Sequence, residues 1–110
     1  MPFTEILHTL VVSQAPAVRA AIFCDHEGEK VASENGHLTA FDVDVLGASL
    51  ALAAGQMQRG AQLRVVFGNQ VVWLIVVDLG CYLCVVCAPG QDFSCRHVFP
   101  RVAEALITHM

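Results

Sequence analysis

Two neighbouring segments, VVWLIVV at residues 71–77 and CYLCVVCA at residues 81–88, are apolar at nearly every position. A strand sends successive side chains to opposite faces, so a strand with no polar alternation has to be covered on both. Only a sheet with a layer on either side does that, which excludes a two-layer design with one wet face. A third segment, QLRVVFG at residues 62–68, sets Leu63, Val65 and Phe67 against Arg64 and Val66, the pattern of an edge or near-edge strand. A Gly-Asn turn signal and the tripeptide DLG separate the three, which predicts an antiparallel meander.

Phe3, Ile6, Leu7 and Leu10 stand at helical spacing and predict a first helix that stops near SQAP, because Pro16 disfavours helix at the residue before it. VRAAIFCD then reads as a strand, DHEG at residues 25–28 as a turn, and residues 30–33 as a short returning strand. Thr39 or Asn35 can cap a helix that runs to about Gln58 and is closed by Gly60. A last helix carries Val98, Val102, Ala105 and Leu106, and Pro100 makes its regular part begin near that residue or bend there. The expected order is α-β-β-α-β-β-β-α in a single domain spanning residues 1–110. One helix covers one side of a mainly antiparallel five-stranded sheet and two cover the other, a three-layer α/β/α sandwich.

The middle helix reads VLGASLALAAG from Val45 to Gly55, apolar or small around almost its whole circumference. Phe41, Val45, Ala48 and Leu52 suffice to cover a sheet. The opposite face, Val43, Gly47, Ala51 and Ala54, with Gly55 at its end, should be polar in a monomer, and a helix that is apolar all round is buried all round. Ala is the best helix former, but Gly47 and Gly55 cost helix stability, so propensity alone does not explain the pattern. Charged residues are 15% of the chain and hydrophobic ones 55%, against about 25% charged in an ordinary soluble domain. Either a large share of surface is therefore buried against a partner or a second copy, or the chain tolerates poor solubility.

The net charge is -4, and the six Lys and Arg are scattered singly, so a nucleic-acid partner is not expected. The first residues lack the positive region of a signal peptide, and no apolar run reaches the 18 or so residues of a span, so membrane insertion is not expected either. Five cysteines without a secretion signal point to reduced thiols and a cytoplasmic location.

Cys81, Cys84 and Cys87 have the spacing of a metal or cluster run, but Tyr82-Leu83 and Val85-Val86 favour extended backbone. In a strand Cys81 and Cys84 face opposite ways about 10 Å apart, at roughly 3.3 Å per residue, and cannot share an ion. Buried small hydrophobes are the expected reading, with a site from Cys87, Cys95 and His97, or a reactive Cys95 at a helix start, as alternatives. No nucleophile, base and orienter come together, His8, His26, His37 and His109 fall on terminal helices or turns, and Asp25, Glu27 and Glu29 form a solvated turn. No phosphate-binding glycine pattern occurs, so neither catalysis nor a cofactor is expected.

The element order, the AAIFCDHEGEKVAS hairpin with Asp25 and Gly28 in its turn, the Ala/Gly-rich middle helix and the meander before a final helix together resemble the Roadblock/LC7 family, bacterial or archaeal members in particular, from Phe3 to His109. That resemblance implies a profilin-like or longin-like fold and dimerisation through the middle helix and first meander strand. On this chain those positions are Val43, Gly47, Ala51, Ala54 and Gly55 with Leu63, Val65 and Phe67. It also implies an adaptor or regulator of a small Ras-like GTPase, with Gln56, Gln58 and Arg59 as rim contacts, or a heteromeric Roadblock-type partner. A dynein-light-chain-like scaffold and a cysteine-ligated metal or redox protein are the alternatives. The cysteine-rich third meander strand and Pro100 depart from the family pattern. None of Arg19, Arg59, Arg64, Arg96 and Arg101 lies on a glycine-rich loop that would mark it as an arginine finger.

Overall fold

In the computed structural model, which describes residues 2–67, 69–78 and 80–110, the chain forms α1 (Pro2–Ser13), β1 (Val18–Cys24), β2 (Lys30–Glu34), α2 (Ala40–Gly55), β3 (Gln62–Phe67), β4 (Gln70–Asp78), β5 (Cys81–Cys87), α3 (Asp92–Cys95) and α4 (Phe99–Thr108). Gly68 and Leu79 of the two meander turns and the side chain of Phe67 lie outside the described part. The expected order is present with one addition. The single turn α3 and a 3-10 turn at Arg96–Val98 precede α4, because Pro100 fits the first turn of a helix and lets the chain start afresh there.

The five strands form one antiparallel sheet in the order β2-β1-β5-β4-β3. The two apolar segments are its centre. Leu83 of β5 lies between Phe23 of β1 and Ile75 of β4, and Cys84 lies between Ile22 and Leu74. Odd-numbered β5 residues join the core under α1 and α4, with Leu7, Leu10, Trp73, Phe99 and Leu106. Even-numbered ones join the core under α2, with Val43, Leu50 and Ala54. Both faces are covered, as strands lacking alternation require.

Local chemistry fixes the ends of the elements. Thr39, not Asn35, caps α2: its hydroxyl accepts the Asp42 N–H at 3.1 Å while the Asp42 carboxylate accepts the Thr39 N–H at 3.1 Å. The helix ends at Gly55, short of Gln58, because the N–H groups of Gln56 and Met57 turn back to the carbonyls of Ala53 and Ala54. The Gly60 N–H then donates to the Val76 carbonyl and ties the linker to β4. In the β1–β2 turn, Asp25 Oδ1 accepts the N–H groups of Glu27 and Glu29 at 2.9 and 3.1 Å, and Gly28 takes φ +85°, a conformation that favours glycine.

Candidate functional site

The structure inverts the sequence-based assignment of faces on α2. Val43, Gly47 and Ala54, expected on the outer side, are buried against the chain's own sheet with Leu50, and Ala51 is half-buried beside them. Phe41, Val45, Ala48 and Leu52, expected to cover the sheet, face outward; Phe41 is 74% and Leu52 75% exposed. The physical reason is a close approach inside the chain. A Cβ on Gly47 would lie 2.9 Å from the Gly28 carbonyl oxygen, and one on Gly28 would lie 3.0 Å from the Ala51 Cβ. The Tyr82 hydroxyl reaches up from β5 and donates to the Gly47 carbonyl. The small residues let the hairpin turn and the sheet come up to the helix.

The outward side of α2 is thus apolar and large. Toward β4 it borders a groove of about 310 Å³ lined by Leu38, Phe41, Val45, Gln70, Val72 and Val86, among others. The Gln70 Oε1 there is buried with no hydrogen-bond partner among the described residues. Beyond the groove runs β3, which among the described residues pairs only with β4, so that its other edge has no strand beside it. Leu63 and Val65 share the α2 side of the sheet, since they stand opposite Leu74 and Val72; Leu63 is exposed and Val65 half-buried. Gly55, Gln56, Gln58 and Arg59 are all exposed at the helix end and in the linker that follows.

The cysteines belong to the strands. Cys84 lies in the core under α2, whereas Cys81 and Cys87 face the other layer. Cys95 ends α3 and leads into the 3-10 turn Arg96–Val98, not into a regular α-helix; its thiol donates to the Asp92 carbonyl at 3.2 Å and lies 3.9 Å from the Cys87 sulfur. Burial pushes the thiols of Cys81, Cys84, Cys87 and Cys95 upward, and that of Cys24 to about 11. Such thiols are weak nucleophiles. His97 is exposed, its Nδ1 3.1 Å from the Ser94 carbonyl. Among the described residues no three His, Cys, Asp or Glu stand together as a metal would need.

Sequence reasoning missed one polar cluster, on the face that carries α4. Asp92 is fully buried and accepts from Arg64 Nε at 2.6 Å, Arg64 Nη2 at 3.3 Å and Trp73 Nε1 at 3.0 Å. The Arg64 hydrogen bonds, opposed by burial and aided by Trp73, hold its carboxyl below the usual carboxylate range. The partners lie 19 and 28 residues from Asp92, beyond the reach of any local motif.

With this geometry established, three-layer proteins of known structure can be set beside it. A Roadblock/LC7 domain from Streptomyces avermitilis superposes with a TM-score of 0.78 at 14% identity, covering 96% of this chain and 95% of that one. Myxococcus xanthus MglB gives 0.78 at 13%, covering 96% and 92%. MglC from Myxococcus xanthus gives 0.72 at 18%, over the full length of both chains. No family model matches the sequence, and no curated protein matches it by sequence. The chain has the Roadblock/LC7 fold, as the sequence resemblance implied.

Proposed function

We propose that the chain is a homodimeric, non-catalytic regulator or adaptor of a small Ras-like GTPase. The observation that carries this reading is the large apolar outward side of α2 next to the open edge of β3, on a fold shared with MglB and MglC. Exposed Phe41 and Leu52, with Leu63 on the same side of the sheet, are what a second copy would cover. In this arrangement β3 pairs with its equivalent across the two-fold axis and extends the sheet. Val43, Gly47 and Ala54 support the dimer only from beneath; Phe41, Val45, Ala48, Leu52, Leu63 and Val65 make the contact, with Ala51 and Gly55 at the flank. Gln56, Gln58 and Arg59 lie at the rim, available to the GTPase.

The protein supplies surface to the GTPase, and the switch segments that reorder with the γ-phosphate are what it reads. Calorimetry with a Ras-like GTPase encoded beside this gene tests the reading. Different affinities for the GDP and GTP-analogue forms are expected. Equal affinities would reduce the protein to a passive scaffold, and absence of binding to both would reject the GTPase reading.

A further inference from the structure

We propose that the corner formed by α3 and β3, on the face of the sheet opposite α2, is a docking site for an acidic, partly apolar segment of a protein partner. Two guanidinium groups and two aromatic rings are locked together there. The Arg64 guanidinium lies 4.9 Å from the centre of the Phe93 ring, that of Arg96 lies 4.9 Å from the Trp73 ring, and Phe93 meets Trp73 edge to face at 5.8 Å. Buried Asp92 fixes both Arg64 and Trp73. The cluster is therefore already ordered, and a ligand that uses it loses little side-chain entropy on binding.

The ordered cluster carries an apolar surface. Phe93 is 62% exposed, and Val66, two residues beyond Arg64 on the same face of β3, is 60% exposed. Immobilised aromatic and arginine side chains of this kind make up the energetic centres of protein interfaces. Charge selects the partner. Asp92 compensates Arg64, but among the described residues Arg96 donates only to the neutral Gln62 Oε1 at 3.2 Å. No carboxylate among the described residues lies within ion-pair distance of Arg96 or Arg59. Arg59 and Gln62 both line a depression that Glu104 also lines. Arg96 thus touches Gln62, Arg59 lines the same depression as Gln62, and Arg64 stands two residues along β3 from it. Carboxylates beside Arg96, and an apolar side chain on Phe93 and Val66, complete what the surface lacks. A phosphate backbone or an anionic bilayer calls for a longer basic track than these two unpaired guanidiniums provide.

The site centres on Phe93 and Arg96, which the proposed dimer and GTPase contacts do not use, and only Arg59 is shared with the rim proposed for the GTPase, so its test separates the two readings. A fluorescently labelled synthetic peptide alternating glutamate with leucine and phenylalanine is titrated into the protein, against the same peptide with glutamine in place of glutamate. The acidic peptide should bind, and the glutamine peptide about tenfold more weakly; Phe93→Ala and Arg96→Gln should each weaken the acidic peptide several-fold, up to about tenfold, as the contributing minority of interface residues do. Both side chains are exposed, and unchanged thermal melts of either variant verify its fold. Leu52→Glu, on the opposite face, should leave peptide binding intact. Equal binding of the two peptides, insensitivity to both substitutions, no binding of the acidic peptide, or preferential uptake of phosphatidylserine vesicles or a short DNA duplex would overturn the proposal.

Discussion

α2 and α4 lie on opposite faces of the same sheet, but only α4 is divided into a dry side and a wet one. On α4, Phe99, Ala103 and Leu106 are buried while Pro100, Arg101 and Glu104 face water. On α2, Val43, Gly47, Leu50 and Ala54 are buried, and the outward side is again apolar at Phe41, Val45, Ala48 and Leu52. The first helix completes its packing within the chain. The second has a complete inner face and a surplus outer one, which is the surface the proposed second copy would cover.

The comparison can be broken most forcefully on the closed side. Phe99 is fully buried with its ring 6.1 Å from that of Trp73, so Phe99→Ala should cost about 3–5 kcal/mol of unfolding free energy in denaturant titration without changing the assembly state. Gly47→Ala sharpens the other side. Its Cβ would meet a backbone oxygen at 2.9 Å and the Cys24 sulfur at 3.1 Å, so a loss of about 1–3 kcal/mol should outweigh the helix-propensity gain. A Gly47→Ala variant of undiminished stability that lost self-association would instead return Gly47 to the interface.

Asp92→Asn tests the polar lock, with an expected loss of about 1–2 kcal/mol at neutral pH from weakened charge-assisted hydrogen bonds. The carboxyl titrates lower in the folded chain than in the unfolded one. Its contribution is therefore full above the unfolded value, about 3.9 for aspartate, and is lost as pH falls through the lower folded value. Stability of the wild type should decline in that acid window by more than that of the asparagine variant. The smallest effect on the folding scale is Leu52→Glu, within about 0.5 kcal/mol for an exposed site. In light scattering it should leave a monomer where the wild type is expected to be a dimer, and its melting temperature should be independent of protein concentration where the wild type's is expected to rise.

The layers were legible in the sequence because unalternating strands have few ways to be buried, and the Asp25–Gly28 turn because its side-chain and backbone requirements are local. The orientation of α2 was not legible. Hydrophobicity assigns the large residues Phe41 and Leu52 to a core, but what decides the matter is the Gly28 backbone pressing on Gly47, a contact between segments far apart in sequence. A glycine turn facing a glycine-containing helix was the available signal. The Asp92 cluster was hidden for the same reason: nothing in QDFSC marks Asp92 out until β3 and β4 bring Arg64 and Trp73 to it. The scattered arginines likewise gather only when the sheet edge is built.

The buried cysteines supply a timer of the chain's own opening. Thiol reagents attack the thiolate, and the upward-shifted groups of the core present almost none while the sheet is closed. Cys81, half-buried at the start of β5, should be alkylated whenever that end of the strand frays, whereas Cys84, at the centre of the sheet, should react only when the whole sheet comes apart. Mass spectrometry of the wild-type chain after pulses of alkylating reagent would thus read local and global unfolding from two positions three residues apart on one strand, with no label introduced.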